Sequence, residues 1–176
     1  MTILICSLSK AAQVAAQRKP SRMVSLLDPH TMFPALGVSA HLRMALHDIA
    51  DHEDGCILPA ETHVREILTF VNAWDQEAPI LIHCWAGISR STATALITAC
   101  VKNPATDEEE IAWALRRASA TANPNPRLVA LADAELGRSG RLVKAARAIG
   151  RGYPAWPAIE EAEPFEIPSR FDGPTL

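Results

Sequence analysis

Apolar positions along the chain repeat with two different periods. The runs at 2–8 (TILICSL), a buried strand, and 22–28 (RMVSLLD) read as strands, and the continuously apolar 78–84 (APILIHC) as a strand buried on both faces. A fourth run, HLRMALHDI at 41–49, alternates enough to be a strand, with Asp48 just past its end. Between them the period lengthens. SKAAQVAAQRK reads as a helix that Pro20 ends. In PAETHVREILTFVNAW, Val64, Ile67, Leu68 and Val71 fall at helical spacing, with Pro59 suited to the first turn.

After residue 84 only helices are predicted: about 88–102, 107–119, 126–137 and 141–149. Asn103-Pro104, the run Asn123-Pro124-Asn125-Pro126, Gly137 and Gly150 separate them. Strands alternating with helices, then helices alone, predict one α/β domain. Its central sheet is mainly parallel and flanked by helices, and the C-terminal half is helical. The domain is expected over 1–151. Residues 152–176, rich in proline and glutamate, read as an extended tail, partly docked through Trp156 and Phe165 and otherwise mobile.

Composition narrows the class. The chain has 176 residues, 48% of them apolar, and a formal net charge of -3. That is enough for one real core, and the charge argues against nucleic-acid binding by general electrostatics. No apolar run reaches the ~18 residues of a membrane span, and the N-terminus lacks a basic region and a cleavage site. A cytoplasmic protein with no membrane contact is expected. Cys6, Cys56, Cys84 and Cys100 form no C-x-x-C pair, so they read as reduced thiols. His47 and His52 stand five apart, not the i, i+4 of a helical zinc site, so no metal is expected.

The chemistry concentrates in HCWAGISRS, residues 83–91. It follows a buried strand and opens a helix, and ligands of α/β sheets bind at such strand ends. The backbone N–H groups of Trp85, Ala86, Gly87, Ile88, Ser89 and Arg90 can converge on an anion at the helix's positive end. A thiol has a pKa near ~8.5, and lowering it by about three units takes roughly 4 kcal/mol. A helix terminus supplies ~2 at best, and each hydrogen bond to a charged group ~1.5–3. Several donors must therefore act together, and Ser91 is placed to be one. Arg90 carries the planar fork that matches two phosphoryl oxygens. The pattern suits a Cys84 thiolate attacking a phosphate monoester to give a cysteinyl-phosphate.

Spacing alone is weak, because an arginine six places after some cysteine is expected by chance about 0.3 times here. The strand before it, Gly87 inside it, Ser91 after it and the helix beyond give it weight. At these residues the chain resembles the cysteine-dependent protein tyrosine phosphatase superfamily, whose signature is H-C-x5-R-S/T. The remainder is similar to the small dual-specificity-like branch, and especially to the bacterial predicted tyrosine phosphatases, from about residue 24 to about 150. The resemblance implies a nucleophile at Cys84, a phosphate-binding Arg90, and a Ser91 hydroxyl that assists the second step, with no metal or organic cofactor. The substrate it implies is a phosphorylated protein or another phosphomonoester.

The family also implies an aspartate acid on a separate loop, some thirty or more residues before the cysteine. Asp48 directly follows a strand and lies thirty-six residues before Cys84. Asp51 and Asp54 fit the separation better but sit in a hydrophilic turn; Asp48 is favoured and the other two stay open. His83 reads as a strand-end histidine that shapes the loop. Asn125 either braces the loop, as its counterpart does in small phosphatases, or only caps a late helix. Cys56 and Cys100 read as unreactive, Cys100 as core beside Leu96.

Two other classes compete. A phosphatase-like module that binds phosphorylated partners without turnover usually has a damaged nucleophile or arginine, and both are intact here. A sulfurtransferase or arsenate reductase also holds a cysteine in an anion-binding loop. The missing resolving pair argues against the reductase, and Ser91 with the helical C-terminal half against the sulfurtransferase. The loop interior W-A-G-I-S has no lysine, which disfavours polyanionic inositol lipids.

Overall fold

The computed structural model describes residues 1–154 and 160–171. Five strands form one sheet: β1 (Thr2–Ser7), β2 (Arg22–Leu27), β3 (Ala40–Ala45), β4 (Ile80–Cys84) and β5 (Phe165–Pro168). Their order is β3-β2-β4-β1-β5, parallel throughout except for β5, which runs antiparallel to β1. Among the described residues the helices are α1 (Leu8–Arg18), α2 (Glu61–Asn72), α3 (Arg90–Lys102), α4 (Glu108–Ala118), α5 (Pro126–Glu135) and α6 (Arg141–Ala148). The architecture is the expected α/β one with a helical C-terminal half.

The apolar runs explain the layers. β4 is buried at every position, and its side chains alternate between two cores. Ile80, Ile82 and Cys84 face the large core shared with α2 to α6, whereas Leu81 faces a smaller one under α1. Helix α3 is buried from Arg90 to Cys100 and so packs on every side. Its threonines are tolerated there because they bond back one turn: Thr94 Oγ1 donates to Arg90 O at 2.9 Å and Thr98 Oγ1 to Thr94 O at 2.7 Å. A helix so enclosed cannot shift easily, and its first residue is Arg90.

The stretch read as a tail is more than an extension. Residues 165–168 add an edge strand to the sheet, with Ile3 paired to Ile167 and Ile5 to Phe165. Pro168 ends that strand at the edge, where a missing N–H does no harm. Asn103 then clamps the segment: its Nδ2 donates to Ser169 O at 2.9 Å and its Oδ1 accepts from Phe171 N at 2.8 Å. Phe165 packs against the large core, as expected; Trp156 lies outside the described residues.

Candidate active site

The C-terminal ends of the parallel strands open on one cavity of about 760 Å³, lined among others by Asp28, Asp48, Glu53, Trp85, Ser89 and Arg90. Cys84, only 1% exposed, sits at the end of β4 where this loop begins. Its Sγ lies 3.2 Å from Ser91 Oγ, so the predicted thiol–hydroxyl pair is in contact.

The loop from 84 to 90 is shaped by bonds to its carbonyls from outside. Leu8 N donates to Trp85 O at 3.0 Å, Ala162 N to Ala86 O at 2.8 Å, Asn123 N to Ile88 O at 2.9 Å and Asn125 N to Ser89 O at 3.3 Å. A trans peptide points its C=O and the next N–H in opposite directions. With those carbonyls turned out, the N–H groups of Ala86, Gly87, Ser89 and Arg90 turn in. Gly87 is indispensable to that turn. Its φ is +74°, and a Cβ there would stand 2.8 Å from Cys6 C and Ser7 N.

Arg90 is 3% exposed. Its Nη1 donates to Asp28 Oδ1 at 2.7 Å and to Leu46 O at 2.6 Å, fixing the guanidinium between β2 and β3. Its Nε is buried without a hydrogen-bond partner, 3.9 Å from Asp48 Oδ2. An unmatched buried charge-bearing donor is costly unless something arrives to meet it. Asp28 was not anticipated from the sequence, although its place just after β2 is the kind of strand end where ligands bind.

Asp48 lies three residues beyond β3, on the cavity wall. Its Oδ1 accepts from Ser89 Oγ at 2.7 Å and from Asn125 Nδ2 at 2.8 Å. Asp51 and Asp54 are exposed and do not line the cavity; Asp54 instead lies 3.9 Å from His52. Asn125 does both things proposed for it. Its Oδ1 caps α5 by accepting from Arg127 N and Leu128 N, while its Nδ2 and backbone N–H reach Asp48 and Ser89. Cys56, read as inert, also lines the cavity, which spacing could not show.

His83 is fully buried beneath the loop. Its Nδ1 lies 3.4 Å from Cys84 O, and its Nε2 is 2.6 Å from Ser25 Oγ, itself 2.7 Å from His41 Nε2. A carbonyl only accepts, so Nδ1 carries the His83 proton, Ser25 donates to His83, and His41 donates to Ser25. Burial holds both rings uncharged, pushing His83 and His41 down to about 4; the Cys84 carbonyl opposes this slightly at His83. Burial likewise pushes the Cys6 and Cys100 thiols up to about 12, so neither competes as a nucleophile. Among the described residues no group of three or more His, Cys, Asp or Glu is placed to hold a metal ion.

The protein-tyrosine phosphatase family model matches residues 40–118, a segment holding Asp48, Cys84, Arg90 and Ser91. Over that segment the chain is similar to protein-tyrosine phosphatases. Solved structures of the dual-specificity kind share its fold. DUSP15 is 20% identical, with 82% of this chain and 88% of that one covered and a TM-score of 0.57. Human DUSP28 is 16% identical over 77% and 92%, with a TM-score of 0.58. PTPMT1, crystallised with PI(5)P, is 11% identical over 79% and 88%, with a TM-score of 0.55. No curated protein matches this chain in sequence. Among its described residues no helix is long and apolar enough to cross a membrane.

Proposed function

We propose that this protein hydrolyses phosphomonoesters of proteins, phosphotyrosine foremost, through a cysteinyl-phosphate on Cys84. The observation that carries the reading is Arg90 Nε, buried and unpartnered beside a loop whose amides turn inward. A dianionic phosphoryl group supplies the missing acceptors at one point.

In the first step Cys84 Sγ attacks phosphorus, and the ester oxygen departs with a proton from Asp48. Both hydrogen bonds to Asp48 fall on Oδ1, so Oδ2, the oxygen nearer Arg90, is the one that carries that proton. In the second step Asp48 accepts a proton from water as the water attacks phosphorus. The S–P bond breaks, and the Ser91 hydroxyl donates to the departing sulfur. Inorganic phosphate leaves and both groups return to their starting states. A reduced thiol is a condition of this cycle; the four cysteines are free, which supports a cytoplasmic setting.

The test is hydrolysis of an aryl phosphate by the purified chain in the presence of chelator. Wild-type protein is expected to turn over and Cys84→Ser to be inactive; undiminished turnover by Cys84→Ser rejects the mechanism. Tight retention of a phosphotyrosine peptide by wild-type protein, with no phosphate released, favours a binding module instead.

A further inference from the structure

The cavity presents a charge imbalance. Two carboxylates line it besides Asp48, which holds the proton of the first step: those of Asp28 and Glu53, against the single guanidinium of Arg90. His47 also lines it, its Nδ1 accepting from Ile57 N at 2.8 Å. Asp28 is already bonded to Arg90, so part of the one positive charge is matched before any ligand arrives. Asp51 and Asp54, both exposed, stand on the same loop as Asp48 and Glu53, Asp54 3.9 Å from His52. The unpartnered Nε of Arg90 marks where the phosphate sits; Asp28 and Asp48 stand within 4 Å of that guanidinium, so Glu53 is the lining carboxylate left to face the rest of the substrate.

Trp85 stands at the same mouth, 51% exposed, its ring available to a neighbouring group. An indole face and carboxylates around one opening are the partners that a guanidinium or ammonium uses together. A second phosphate on the substrate would meet the same carboxylates and be repelled.

We propose that this rim selects phosphorylated peptides with arginine or lysine beside the phosphorylated residue. Glu53, with Asp51 and Asp54 on the same loop, supplies the selecting charge, and Trp85 the face against which the cation lies. The inference rests on the phosphatase reading above and is tested separately from it.

Two phosphotyrosine peptides of identical length, one flanked by arginines and one by glutamates, are compared by kcat/KM. The arginine peptide is expected to be favoured about tenfold at low ionic strength, and the ratio to shrink toward about twofold in high salt. The triple variant Asp51→Asn/Glu53→Gln/Asp54→Asn is expected to bring the low-salt ratio close to one, and Trp85→Ala to lower it less. The ratio is the readout, because a variant that folds less well slows both peptides equally. Equal rates for wild-type protein, or a preference for the glutamate peptide, overturn the inference. So does an unchanged ratio in the triple variant, or faster hydrolysis of a polyphosphorylated inositol headgroup than of either peptide. Absence of turnover on a small aryl phosphate would instead sink the phosphatase reading itself.

Discussion

Two loops meet at the cavity, and they are built in opposite ways. The segment from Cys84 to Arg90 lies between a strand and a helix that are both buried, and its outward carbonyls are bonded by three other parts of the chain. The segment from Leu46 to Pro59 is largely exposed and is fastened by individual side chains: His47 to Ile57, Asn125 to Asp48 and Ile49, Arg127 to Ala50 and Pro59. The geometry of Cys84, the proposed nucleophile, is therefore a property of the core. That of Asp48, the proposed acid, belongs to a few polar contacts that single substitutions can retune.

The sharpest way to break this contrast is inside the first loop. Arg90→Lys keeps a charge but loses the planar fork, and kcat/KM on an aryl phosphate is expected to fall by about 10³-fold with the fold intact by circular dichroism. In the second loop, Asp48→Asn is expected to cost about 10²-fold on a phenolic ester with a poor leaving group and far less on an activated one. Asp51→Asn and Asp54→Asn should leave that leaving-group dependence in place; if either abolishes it, the acid has been misassigned.

Stability separates the loops further. Gly87→Ala forces a side chain into backbone at positive φ and should lower unfolding stability by about 2 kcal/mol or more, read by denaturant titration. Asn125→Ala, which removes a cap and the brace on Asp48, should cost about 1–2 kcal/mol. The most gradual effect is in pH. His83 is held down to about 4 when folded, against about 6.5 when unfolded, so the unfolded chain binds the proton first on acidification. Stability is complete above about pH 6.5 and is expected to fall toward pH 4, by at most about 1.4 kcal/mol per pH unit for that ring. A flat profile in that window would show that His83 is not held neutral.

The parallel strands and helices α1 to α6 were legible because each carries its own period, and the periods survive in the fold almost residue for residue. HCWAGISRS stands out for a related reason: thiol, glycine, arginine and hydroxyl are local in sequence. What escaped notice is nonlocal. Asp28 reaches Arg90 across sixty-two positions, and Ser25 links His83 to His41 from neighbouring strands. Nor could spacing rank the three aspartates; a contact from Asn125, seventy-seven residues away, distinguishes Asp48 in space. β5 was hidden because prolines at both ends of a short segment read as tail, whereas its partner edge on β1 is visible only once the sheet exists.

The bond from Ala162 to Ala86 ties the loop to a segment made well after it. Synthesis runs from the N-terminus, and folding can begin on the ribosome. Cys84, Arg90, Asp48 and Asn125 are all joined to the chain before the strap at 160–171. A growing chain thus possesses these groups before the outer support of their loop has been supplied.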